Sequence, residues 1–181
     1  IGNAAVAEAA RVRTLKDDDS VTVARWTVGQ PPAPTYQKMG GWTEDDIVDR
    51  WQIIEFEAPC TIVLDVGVAL AGTGALEGDR SQGVNGRVLN TITPETDNTC
   101  MYFWSLVRNY RLRDQALTTQ LREANAKIFV EDQVVVEAQQ RSMEQNPQLG
   151  LNNLNIDAGA VWARRITEDM IDRETRSAAA E

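Results

Sequence analysis

From Asp114 to about Gln145 the sequence reads as one long helix, and an acid stands in the middle of its apolar face. At about 3.6 residues per turn, Leu121, Ile128, Phe129, Val135, Val136 and Met143 share that face, and Asp132 shares it with them. Asp114 is placed to cap the helix start, and Asn146-Pro147 ends it. An ionised carboxylate turned into a core is costly unless a cation or several donors meet it. Asn125 and Gln139 lie on the same line at seven-residue spacing, so a polar thread runs down the stripe. The pattern fits a helix that presents a ligand to a metal or a small molecule. It also fits a buried Asp satisfied by an Arg or by backbone amides, the commoner arrangement.

The residues before this helix read as strands. Ala10 to Lys16 and Val21 to Val28 flank the turn-forming Asp17-Asp18-Asp19-Ser20 and make a hairpin. The proline-rich stretch from Gly29 to Tyr36 cannot be a central strand, because proline removes ladder donors, and is expected as a stiff surface loop continuing through Gly40-Gly41. Ile47 to Phe56 follows as a strand. Cys60 to Leu70 alternates most clearly: Ile62, Leu64, Val66, Val68 and Leu70 form an apolar face, and the small, mixed opposite face resembles a cavity wall. Ala71 to Gly86, with its glycines, reads as a mobile loop. Arg87 to Thr93 and Thr99 to Arg108 are two further strands. Asp157 caps a last helix, with Trp162, Ile166 and Met170 as its packing stripe. Strands followed by helices argue for an α+β fold, a curved antiparallel sheet packed around one long helix, with room between them for a small molecule.

Composition narrows the chemistry. With 27 acidic against 18 basic residues and a net charge of −9, the chain lacks the basic footprint that nucleic acid requires. No apolar run is long enough to span a membrane. Cys60 and Cys100 stand apart in strand-like runs, as core thiols of a cytoplasmic protein do. Histidine is absent, which excludes a Ser-His-Asp or Cys-His nucleophile and any complete His-based metal site within this chain. If Asp132 binds a metal, its other ligands come from elsewhere. The opening Ile1-Gly2-Asn3-Ala4-Ala5, without Met or a signal pattern, reads as the interior of a longer protein.

Motifs spread along the chain carry a family likeness. They are Ile1-Gly2-Asn3, Arg25-Trp26 with Pro31-Pro32-Ala33-Pro34, Val48-Asp49-Arg50-Trp51-Gln52 and Thr93-Pro94-Glu95-Thr96. Tyr102-Phe103-Trp104 with Arg108-Asn109, Glu131-Asp132 through Gln139-Gln140, and Asp157-Ala158-Gly159 with Ala163-Arg164-Arg165 continue the series. In that order and spacing the chain resembles the C-terminal catalytic domain of the Rieske non-haem iron oxygenases, in the vanillate O-demethylase oxygenase subunit group. The resemblance implies a helix-grip, START-like catalytic domain over residues 1–181, incomplete and without its N-terminal Rieske domain.

It also implies a role for Asp132 as the carboxylate ligand of a mononuclear Fe(II), with two histidines lying upstream of Ile1. Two His and one carboxylate on one face of iron leave positions open for O2. The missing part of such a protein carries the [2Fe–2S] Rieske cluster. The implied activity is that of a monooxygenase that demethylates a methoxyarene such as vanillate to a phenol and formaldehyde. It draws electrons from NADH through a ferredoxin-type reductase, and the full-length protein forms a homotrimer. The fragment alone is expected to be inactive. Asn90 and Asn125 are candidates for the substrate pocket and Gln139 for orienting Asp132. Trp26, Trp51 and Trp104 either pack the sheet or wall the pocket. Relatives often carry His where Met101 stands, which bears on substrate rather than iron. A different class of function, a non-catalytic binder of hydrophobic small molecules with the same sheet-around-helix build, stays open beside the oxygenase.

Overall fold

The computed structural model describes residues 10–150 and 152–179; the Ile1-Gly2-Asn3 motif lies outside them. Six strands form one curved antiparallel sheet in chain order. They are β1 (Arg11–Lys16), β2 (Ser20–Gln30), β3 (Val48–Glu57), β4 (Thr61–Leu70), β5 (Val84–Pro94) and β6 (Cys100–Arg108). Among the described residues three α-helices accompany them: α1 (Pro34–Gly40), α2 (Gln115–Gln145) and α3 (Ala158–Ala178). The sheet and the long helix agree with the α+β fold expected from the alternating and helical periods. Among the described residues no helix is long and apolar enough to cross a membrane.

Helix α1 corrects the expectation of a loop. The prolines that disqualify a strand also start this helix: Ala33 is extended, Pro34 opens the first turn, and Gly41 at φ 73° closes the last. Proline loses nothing in a first turn, where its missing N–H has no intrahelical partner. Tyr36 and Met39 of α1, with Trp42 and Tyr110, pack on Val48, Val68 and Val84.

Register sorts the side chains between two faces. Trp26, Trp51, Gly67 and Asn85 lie opposite one another on successive strands, on the face away from the helices. Trp51 is fully buried there. A Cβ on Gly67 would come within 2.2 Å of its indole. The small face of β4 is therefore a seat for Trp51 and not the cavity wall its composition suggested. The Trp51 indole N–H donates to Asp65 Oδ1 at 2.9 Å, and Arg80 pairs with Asp65 Oδ2. The Arg80 guanidinium also lies over the rings of Trp51 and Trp26, at 5.0 and 5.6 Å. Arg80 belongs to the glycine-rich segment expected to be mobile. Instead that segment forms a short turn at Ala75–Glu77, buries Ala75 beside Trp51, and is tied down by this ion pair.

The opposite face carries the apolar set of β4 and receives the helices. Phe129 of α2 meets Tyr102 and Trp104 of β6, at ring separations of 5.4 and 5.0 Å. Helix α3 covers the β1–β2 side, where Ile166 is buried and Gly159 approaches Val23 closely enough to leave no room for a Cβ. Trp162 takes the Lys16 ammonium over its ring at 4.8 Å, so the expected stripe of Trp162, Ile166 and Met170 does face the sheet side.

Candidate functional site

Helix α2 is fastened at its start. Asp114 Oδ1 accepts the Leu117 N–H at 2.9 Å, the capping bond expected of an Asp at that position. That bond, together with the Arg111 partner, holds the Asp114 carboxyl below its ordinary pKa. Arg108, the last residue of β6, donates to the carbonyls of Tyr110, Arg111 and Asp114 and to the Thr118 hydroxyl. The end of β6 and the first turn of α2 thus form one hydrogen-bonded corner, which sets the direction in which the helix leaves the sheet.

From that corner Leu117 is buried and Leu121, Asn125 and Phe129 are half-buried, and Phe129 meets the rings of Tyr102 and Trp104 on β6. Beyond Phe129 the stripe is open. Val134, Val135 and Val136 are 61%, 66% and 62% exposed, and Ile128 and Met143 are exposed as well. Asp132 is exposed too. This corrects the expectation of an acid buried among apolar neighbours. Thirty-one residues of helix extend about 46 Å, and eleven residues of strand only about 37 Å. Sequence periodicity identifies an apolar face but not what covers it.

Asp132 nevertheless has polar and aromatic company. Phe129, one turn earlier, lies edge-on to Tyr102. Burial raises the Tyr102 hydroxyl above its ordinary pKa, and the negative charge of Asp132 raises it further. The Tyr102 hydroxyl donates to Asn90 Oδ1 at 2.8 Å. Asn90 is 7% exposed, and its Nδ2 makes a long contact of 3.4 Å to the Ile62 carbonyl. Trp104 stands directly opposite Asn90 across the β5–β6 ladder. Asn90, Tyr102, Trp104 and Phe129 therefore form a surface of aromatic rings with one buried amide, beside the helix that carries Asp132.

The other expected residues are not brought in. Asn125 is half-buried, but its Nδ2 donates at 2.8 Å to the Leu121 carbonyl of its own helix. Gln139 is exposed, and among the described residues no hydrogen bond joins it to Asp132. Trp26 and Trp51 pack the far face, whereas Trp104 lies on the helix side. Tyr102 is the member that residue-by-residue reading missed. Its signal was available in the hairpin: pairing Thr93 with Met101 and Ile92 with Tyr102 puts Asn90 and Tyr102 on the same face, diagonal to one another.

Among the described residues no group of three or more His, Cys, Asp or Glu comes together, and the chain has no His. Asp132 alone does not make a site for a mononuclear iron, and the residues present do not fit one without further donors. Cys60 and Cys100 are free thiols, but Cys60 is only half-buried and Cys100 is exposed at the start of β6, which corrects the expectation that both fill the core. A shallow hollow bounded by Phe56, Pro59, Ala163, Arg164, Thr167 and Glu168 lies under α3 and shares no residue with the Asp132 surface.

Known proteins give this geometry a setting. Residues 1–173 match the family described as the vanillate O-demethylase oxygenase C-terminal domain. A vanillate O-demethylase oxygenase subunit of Pseudomonas sp. is 39% identical over 91% of this chain and 51% of its own length. The oxygenase component of a chloroacetanilide N-alkylformylase from Rhizorhabdus wittichii is 34% identical over 91% of this chain and 46% of its own. Dicamba monooxygenase bound to 3,6-dichlorosalicylic acid superposes at a TM-score of 0.81 with 26% identity, covering 94% of this chain and 49% of that one. The same enzyme with non-haem iron and dicamba gives a TM-score of 0.78. The chain spans about half the length of the curated relatives it matches.

Proposed function

The chain belongs to the vanillate O-demethylase oxygenase C-terminal domain family, and on that premise we propose that it is the catalytic part of an oxygenase component that demethylates a methoxyarene. The net reaction consumes the aryl methyl ether, O2, two electrons and two protons, and yields a phenol, formaldehyde and water. The electrons come from NADH by way of a ferredoxin-type reductase and a [2Fe–2S] Rieske cluster outside this chain. A mononuclear iron supplies the O2 chemistry when bound. The intact protein is a cytoplasmic homotrimer.

The observation that carries this reading is the family match through the Glu131-Asp132 segment, joined to the place of Asp132 beside an aromatic surface. Asp132 serves as the carboxylate donor, and imidazoles from outside residues 1–181 complete the ligand set. Trp104 and Tyr102 of the sheet and Phe129 of α2 offer rings against which a flat substrate stacks, and Asn90 offers a polar handle. Asn125 and Gln139 take only supporting parts, because the amide of the first is spent on its own helix.

Asp132→Asn in the full-length protein is the test. Loss of iron with loss of formaldehyde release is expected, while the fold, read by circular dichroism, stays intact. Unchanged iron and turnover would remove Asp132 from the site. The exposure of Asp132 favours a second reading, a non-catalytic binder of hydrophobic small molecules. Full-length protein that holds aromatic ligands but no iron would establish it.

A further inference from the structure

Asn90 is one of three buried polar or charged residues among those described, with Thr27 and Asp49. A primary amide has two N–H donors and one carbonyl acceptor, and leaving a buried one unused is costly. At Asn90 the acceptor is taken: Oδ1 receives the Tyr102 hydroxyl at 2.8 Å. The donor side is barely used, since Nδ2 has only the 3.4 Å contact to the Ile62 carbonyl, and no second partner for it occurs among the described residues. The two neighbours also fix which way round the amide lies. A carbonyl cannot accept from a carbonyl, so the nitrogen must face Ile62, and Tyr102 then has to donate to the oxygen. Tyr102 is itself held by the edge of its ring against Phe129 on α2.

We propose that Tyr102 is a positioning residue that locks the Asn90 amide with an N–H free for a ligand, so that this surface selects aromatic molecules bearing a hydrogen-bond acceptor, such as a ring carboxylate. The proposal rests on the reading that the aromatic surface beside Asp132 receives the substrate, and it adds the polarity of one contact. Without the Tyr102 hydroxyl the amide keeps only the long 3.4 Å contact to the Ile62 carbonyl, its hold on the free N–H direction loosens, and the preference fades. Tyr102 acts through Asn90, and the ligand touches Asn90.

Binding to the full-length protein, followed by tryptophan fluorescence, separates the outcomes. Three probes share one ring: 3-methoxybenzoate carries an acceptor, methoxybenzene neither group, and 3-methoxybenzylamine a donor. The wild type should favour the benzoate. Tyr102→Phe should reduce that preference over methoxybenzene roughly tenfold, the usual scale for one polar contact, with iron content unchanged. Asn90→Ala should reduce it at least as much, and adding Tyr102→Phe to Asn90→Ala should cost nothing further. Asn90→Asp should shift preference towards the benzylamine, a reversal that a merely structural amide would not produce. An unchanged preference in Tyr102→Phe, or additive losses in the double variant, overturns the proposal. Binding of all three probes without discrimination by the wild type also overturns it, while leaving the substrate surface standing. Failure of the wild type to bind any of them sinks both readings.

Discussion

The far face of the sheet and the second half of α2 are built on opposite terms. Around Trp51 the strongest groups meet one another within the chain: the indole N–H has Asp65, Asp65 has Arg80, and the Arg80 guanidinium lies over two aromatic faces. Along α2 beyond Phe129, Val135, Val136 and Asp132 on the apolar face are all exposed, as is Val134 beside them. The first region shows where the stability of this chain lies. The second keeps apolar side chains that contribute little to its fold, and that is the region holding Glu131 and Asp132.

Breaking the packed region should have the largest effect. Trp51→Ala should destabilise the chain by about 3–5 kcal/mol, the range for truncating a buried aromatic, measured by urea unfolding. A Trp51→Ala variant as stable as the parent would show that the far face is not the core. Gly67→Ala attacks the same contact from the other side. Its new Cβ would lie 2.2 Å from the indole, so a loss of about 1–3 kcal/mol is expected from overpacking. Arg80→Ala should follow at about 2 kcal/mol, because it leaves a mostly buried Asp65 with hydrogen-bonding capacity unmet. It should also loosen the 71–83 segment, read as faster amide exchange there.

The same contrast separates what sequence could and could not reveal. Elements fixed by local period were legible: the alternation of β4, the cap at Asp114 and the stop at Asn146-Pro147 all stand where they were read. Contacts between distant segments were not. Nothing local to Arg80 points to Trp26, 54 residues earlier, so a glycine-rich run read as mobile proved pinned. At Pro34 the local signal was present and admitted two meanings, a broken strand or a helix start. At Asp132 the helix and its apolar face were read correctly, and only the covering surface was wrong. Asn90 was legible as a polar residue on a strand, but its Tyr102 partner needed the hairpin register.

The cap on α2 joins the two regions and should respond to pH. The Asp114 carboxyl is held below its ordinary value of 3.8 by the Leu117 N–H and by Arg111. Its contribution is therefore complete above the unfolded value and disappears as pH falls through the lowered folded value. Asp114→Ala should lower the melting temperature at neutral pH, and the gap from the parent should close in acid. A gap that persisted below both values would mean that the carboxylate is not what stabilises the turn.

The smallest effect is the one that sharpens the comparison most. If Val134, Val135 and Val136 are as open in solution as they are here, replacing each by Ala removes no packing. It relieves the χ1 restriction that a β-branched side chain suffers in a helix, worth at most about 0.7 kcal/mol per residue. The three single variants of the 181-residue chain should then be as stable as the parent or slightly more stable. In full-length protein the sign should reverse wherever further chain closes over the stripe, since truncating a buried valine leaves a cavity. Measuring the same three substitutions in both backgrounds reads the coverage of the Asp132 helix directly. Losses above about 1 kcal/mol in the short chain would show that the stripe is already buried, and the distinction between the two regions would then fail.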